Sequence, residues 1–137
     1  MNENQSLKNR KIVLVEDDPF FYNVLSTRFA QEETHLIYAG VGADALKVIH
    51  DEHPDVIILD ILLPGMDGIE ILRTLKADAA TREIPVIMFS NVNDQEKIDA
   101  TKNLGAASFF HKGMVTPLEV IGYVRTALDH GTPTPHA

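Results

Sequence analysis

Two short apolar runs, Ile12-Val13-Leu14-Val15 and Val56-Ile57-Ile58-Leu59, stop abruptly on carboxylates: Glu16-Asp17-Asp18 after the first and Asp60 after the second. Four apolar residues with no polar alternation suit a strand covered on both faces, the kind found in a parallel sheet with helices on either side. A third run, Pro85-Val86-Ile87-Met88-Phe89, ends at Ser90. Two weaker candidates, His35 to Ala39 and Ala107 to Phe110, bring the predicted strands to five, and the last leads into His111-Lys112-Gly113.

Amphipathic stretches fill the intervals. Asp18-Pro19 predicts the cap and first residue of a helix with the stripe Phe21, Val24, Leu25 and Phe29. Ala43 to His53 carries Leu46 and Ile49 on one side and is stopped by Pro54. After the turn Leu63-Pro64-Gly65-Met66, Asp67 with Glu70 predicts a capping box for a helix bearing Ile71, Leu72 and Leu75. Asn93 with Glu96 predicts a cap for a helix to about Leu104. Thr116-Pro117-Leu118-Glu119 combines a capping box with proline at the first helical position, and the stripe Ile121, Val124, Leu128 is expected to end at Gly131. Five strands alternating with five helices predict a doubly wound parallel α/β sheet with right-handed crossovers, whose ligands lie at the carboxyl ends of the strands. We expect one domain over 11–131, a flexible N-terminal segment over 1–10, and a flexible tail over 132–137 too short to be an output domain.

Composition narrows the function. Twelve Lys and Arg against 20 Asp and Glu give a net charge of −8, which argues against a basic face for direct nucleic-acid binding, so any such output would need a partner. With no cysteine there is neither a disulfide framework nor thiolate chemistry. No apolar run approaches the roughly 18 residues of a membrane span, and the polar start lacks a signal peptide's apolar stretch. A soluble cytoplasmic protein is expected.

The polar residues at the strand ends are the candidate site. Adjacent carboxylates such as Glu16 and Asp17, ending a buried strand, repel one another and lose solvation unless a cation compensates them. Asp60 ends the clearest buried strand and has no capping role, since the next helix starts after Asp67. Asp18 is read as a helix cap. Three acidic side chains supply the hard oxygen ligands Mg²⁺ prefers while leaving room for water and a phosphate; Ser90 and Lys112 then remain for phosphoryl oxygens. Other constellations carry less. His50 and His53 read as a solvated helix end rather than a metal site, His111 as an ordinary strand residue, and Phe20 and Phe21 as packing. No glycine-rich phosphate loop, Ser-His-Asp order or basic patch is present.

Taken together, the segments Ile12 to Pro19, Asp60 to Gly68, Pro85 to Ser90 and Phe109 to Lys112 resemble the receiver domain of response regulators in two-component signalling. The resemblance implies a stand-alone, chemotaxis-regulator-like receiver with the flavodoxin-like strand order 2-1-3-4-5. It matches Asp60 to the phosphoacceptor, and Glu16, Asp17, Asp60 and the main-chain carbonyl of Leu62 to the Mg²⁺ ligands. Ser90 matches the switch hydroxyl, Phe109 the switch aromatic, and Lys112 the lysine that contacts the phosphoryl group. The implied protein is a signalling phosphoacceptor rather than an enzyme. It would take its phosphoryl group from a histidine kinase or phosphotransfer protein and turn the face of the fourth helix, fifth strand and fifth helix toward a downstream protein. It would act as a monomer or a phosphorylation-dependent dimer.

Two residues depart from that pattern. Gly113 follows Lys112 where the family usually has proline, commonly after a cis bond; a trans bond is expected here, because a non-proline cis bond costs about 2.5–4 kcal/mol. Asn91 follows Ser90 where the family favours alanine or glycine, and either narrows access to Asp60 or hydrogen-bonds nearby. Leu62 and Val92 border the approach of hydrolytic water in the family and cannot orient one here. Two other readings stand beside this one. An aspartate-nucleophile phosphatase would need a second aspartate two residues after its nucleophile, and that position is Leu62; a degenerate receiver would serve only as a binding module.

Overall fold

Strand β1 (Lys11–Val15) lies between β2 (His35–Ala39) and β3 (Val56–Asp60), and the parallel sheet continues through β4 (Val86–Ser90) to β5 (Ser108–His111), in the order β2-β1-β3-β4-β5. The chain therefore reverses its direction of winding between β1 and β3, and a crevice opens beyond their carboxyl ends. In the computed structural model, residues 6–40 and 42–130 are described. The helices are α1 (Pro19–Gln31), α2 (Gly42–Glu52), α3 (Gly68–Ala77), α4 (Gln95–Asn103) and α5 (Pro117–His130), with a 3₁₀ turn at Lys112–Met114. No helix among the described residues is long and apolar enough to cross a membrane.

Alternation along each strand divides the core in two. Leu14, Ile58 and Phe89 face Leu25, Phe29, Ile121 and Val124 of α1 and α5. Val13, Val15, Ile57, Leu59 and Met88 face Ala45 and Ile49 of α2 and Ile71, Leu72 and Leu75 of α3. The three central strands are thus buried on both faces, as their unbroken apolar runs require.

The local signals hold with adjustments. Asp18 caps α1 by accepting from Phe20 N at 2.9 Å. Val24 is solvent-facing at 37% exposure, because the inward stripe is half-buried Phe21 with buried Leu25 and Phe29 at a spacing of four, and Val24 falls beside Phe20 on the flank. Helix α4 is capped by Asp94 rather than Asn93; its carboxylate accepts from Glu96 N at 3.0 Å, where negative charge suits the helix N-terminus. The box at Thr116 and Glu119 is reciprocal, at 2.8 and 3.2 Å. Asp67 caps α3 at 2.9 Å, but Glu70 turns to Arg73 at 2.7 Å. His53 leaves α2 with φ 51°, still donating to Ile49 O at 2.9 Å, so the helix closes in a left-handed residue just before Pro54. Leu7 is buried and its carbonyl accepts from Thr34 Oγ1 at 3.0 Å, so chain packing begins inside the segment expected to be flexible. The expected helix stop at Gly131 and the tail 132–137 lie outside the described residues.

Candidate functional site

The crevice beyond β1 and β3 gathers the carboxylates. Glu16, just past β1, is 0% exposed, Asp60 at the end of β3 is 4% exposed, and Asp17 points toward solvent. One oxygen from each of the three lies within 4.8 Å of the others, a grouping suited to a metal ion. Local bonds orient two of them: Glu16 Oε2 accepts from Asp18 N at 2.7 Å, and Asp60 Oδ1 from Leu62 N at 3.1 Å. Lys112 reaches in from the end of β5, its Nζ 2.6 Å from Glu16 Oε1 and 3.5 Å from Asp60 Oδ2. The same ammonium lies over the rings of Phe21 and Phe89, 5.5 and 5.4 Å from their centroids, within cation–π range.

Burial dominates the electrostatics. It pushes the Glu16 and Asp60 carboxyls above the ordinary range, against the pull of Lys112 and of backbone N–H donors. Burial pulls Lys112 down, but its bond to Glu16 and the charges of Asp60 and Glu16 outweigh this and leave its pKa raised. Tyr38 is raised by burial and then by the charges of Glu16, Asp17 and Asp18, so the negative field extends to β2. Three carboxylates facing one ammonium leave negative charge uncompensated, and the all-oxygen donor set fits Mg²⁺.

Ser90 ends β4 with a buried hydroxyl that has no hydrogen-bond partner of good geometry, yet it stands close enough to Asp60 to favour that group's ionised form. Phe109 is half-buried on β5 and meets His111 edge-on at 5.1 Å. Leu62 is 54% exposed, Val92 packs at the margin of the core, and Asn91 is exposed. Asn91 Oδ1 accepts from Gly113 N at 3.1 Å, which realises the hydrogen-bonding alternative for that side chain. No cis peptide occurs among the described residues, so the Lys112–Gly113 bond is trans as expected. His50 pairs with Asp78 at 3.1 Å, and the metal-compatible group found among the described residues is Glu16, Asp17 and Asp60.

Two contributions escape the sequence reading. Phe21 and Phe89 look like core residues, and only the fold brings their rings under Lys112. Gly68, the first residue of α3, presses on β3: a Cβ there would lie 2.0 Å from Asp60 O. Its signal in the sequence is glycine at a helix start, directly after the cap Asp67, where most residues would serve.

The chain is 35% identical over 106 residues to sporulation initiation phosphotransferase F of Bacillus subtilis, covering 77% of this chain and 84% of that protein. It is 29% identical over 126 residues to DNA-binding response regulator MtrA of Mycolicibacterium smegmatis, covering 92% of this chain but only 54% of that regulator. Among solved structures, the BeF3-activated N-terminal receiver domain of Klebsiella pneumoniae RstA superposes with TM-score 0.78 at 27% identity, covering 86% of this chain and 97% of that one. The signal receiver domain of a histidine kinase from Syntrophus aciditrophicus gives 0.80 at 26%, covering 93% and 96%. The family model for the response regulator receiver domain matches residues 12–122, most of the chain. The protein belongs to the response regulator receiver domain family.

Proposed function

We propose that Asp60 accepts a phosphoryl group from the phosphohistidine of a histidine kinase or phosphotransfer protein, and that the aspartyl phosphate switches the face of α4, β5 and α5 for a downstream protein. The observation that carries this reading is the convergence at buried Asp60 of the Glu16 and Asp17 carboxylates, the Lys112 ammonium and the buried Ser90 hydroxyl, which lacks a hydrogen bond of good geometry. A buried hydroxyl so poorly bonded costs stability, and a phosphoryl oxygen on Asp60 would satisfy it.

In the transfer, an Asp60 oxygen attacks phosphorus in line with the phosphohistidine P–N bond. That bond breaks, the imidazole nitrogen keeps the electron pair, and it regains a proton from solvent. Bound by Glu16, Asp17, Asp60 and the Leu62 carbonyl, Mg²⁺ would supply the positive charge that lets two anions approach. Lys112 holds further positive charge at the phosphoryl oxygens. Ser90 then donates to one of them, the end of β4 follows, and half-buried Phe109 moves into the space released.

The protein acts in the cytoplasm through protein partners, without direct nucleic-acid contact, as a monomer or a phosphorylation-dependent dimer. It assists its own phosphorylation and slow dephosphorylation but has no separate substrate; Leu62, two residues past Asp60, offers no acid for a phosphatase mechanism. Backbone NMR spectra with and without acetyl phosphate in Mg²⁺ test the switch. Shifts at Ser90 to Val92, Phe109 and along α4 and α5 are expected. Shifts confined to residues flanking Asp60 would contradict it.

A further inference from the structure

Strands β4 and β5 stay in register to their last pair, Ser90 opposite His111, where the ladder ends. Beyond it a side chain adds one more cross-link: Gly113 N donates to Asn91 Oδ1 at 3.1 Å. Asn91 directly follows Ser90, and Gly113 directly follows Lys112. A single bond therefore ties together the two loops whose preceding residues converge on Asp60. The 3₁₀ turn at Lys112–Met114 has no side-chain cap of its own.

What position 113 supplies is its N–H rather than its lack of a side chain. Its φ is not in the left-handed region, and a Cβ would sit 3.5 Å from Asn91 Oδ1, an ordinary contact. Proline, usual in the receiver motif, has no N–H to offer. The two departures from that motif are thus complementary, an acceptor on one loop and a donor on the other.

We infer that Asn91 is a positioning residue for Lys112: by holding the Gly113 N–H it fixes the turn from which the ammonium reaches both Glu16 and Asp60. Lys112 lies 2.6 Å from Glu16 but 3.5 Å from Asp60, so a small displacement of that turn toward β1 would leave it paired with Glu16 alone. The inference rests on Asp60 being the acceptor.

Phosphorylation by acetyl phosphate should slow roughly three- to tenfold in Asn91→Ala, the range expected for loss of one hydrogen bond. Because Asn91 acts through Lys112, the same substitution in a Lys112→Ala background should change the rate less than about twofold. Independently of any phosphorylation, amide exchange at Gly113 should accelerate in Asn91→Ala and stay slow in Gly113→Ala, which keeps the N–H. Faster phosphorylation in Asn91→Ala, or an equal slowing with and without Lys112, would overturn the inference and make Asn91 an access or structural residue. So would unchanged Gly113 exchange. A wild type that takes up no phosphate would refute the acceptor reading instead, while the exchange measurement would still decide the Asn91–Gly113 bond.

Discussion

The Lys112 ammonium stands 2.6 Å from Glu16 Oε1, closer than its 3.5 Å approach to Asp60. Lys112 is thereby a built-in counter-ion for a carboxylate that is also a candidate metal ligand, and the ammonium and a divalent cation compete for it. Lys112→Ala should tighten Mg²⁺ binding at least about threefold by calorimetric titration, while slowing phosphorylation. Weaker or unchanged Mg²⁺ affinity would show that the two cations do not share Glu16.

The raised carboxyl pKa values set a pH dependence. Folded Glu16 and Asp60 hold their protons more tightly than the unfolded chain does. Their contribution to stability is full below the ordinary carboxyl values and is lost as pH rises through the raised folded ones. Lys112 has the same sign but loses its contribution only above the ordinary lysine value, outside the acid window. In EDTA, the melting temperature of the wild type relative to Asp60→Asn should rise as pH is lowered from neutrality toward the ordinary carboxyl range. A relative decline over that interval would mean that the buried carboxylates are already well compensated.

Gly68 tests the packing behind Asp60. Because a Cβ there meets Asp60 O at 2.0 Å and Ile61 Cα at 2.8 Å, Gly68→Ala must push α3 off β3. Urea denaturation should show a loss of about 1–3 kcal/mol, with slower phosphorylation. Gly122→Ala is the control: it lies within exposed α5 surface with nothing within 4 Å of a Cβ, and should be neutral or stabilising. Equal effects of the two substitutions would refute the close-approach explanation.

Strand-end chemistry was legible because burial on both faces writes itself as unbroken apolar runs, and a carboxylate ending such a run is conspicuous. Glu16, Asp60, Ser90 and Lys112 meet because the parallel sheet brings strand ends to one rim. Features built between distant segments were not legible. Phe21 and Phe89 carry no mark of standing under Lys112, and the Asn91–Gly113 bond needs two loops placed at once. Leu7, buried in the fold, carries no signal in its polar segment, because one apolar residue has no period. Val24 leaves the expected stripe and Asp94 replaces Asn93 as the cap, because neighbouring candidates compete for a stripe or a cap and tertiary packing decides.

Leu62 and Val92 bear on the lifetime of the phosphorylated state. Neither can orient a water by hydrogen bonding, so spontaneous loss of phosphate should be slow. Leu62→Asn with Val92→Glu should hasten it about tenfold or more without preventing phosphorylation, followed by intact mass against time in Mg²⁺. Wild-type decay within seconds, or no acceleration in the double variant, would remove these side chains from the account.

The acceptor itself is tested by mass spectrometry of the intact protein after exposure to acetyl phosphate and Mg²⁺. The wild type and Asp18→Asn, whose substituted side chain caps α1, should each gain one acid-stable, base-labile phosphoryl group, and Asp60→Asn should gain none. Equal labelling of Asp60→Asn and wild type would contradict the assignment of Asp60.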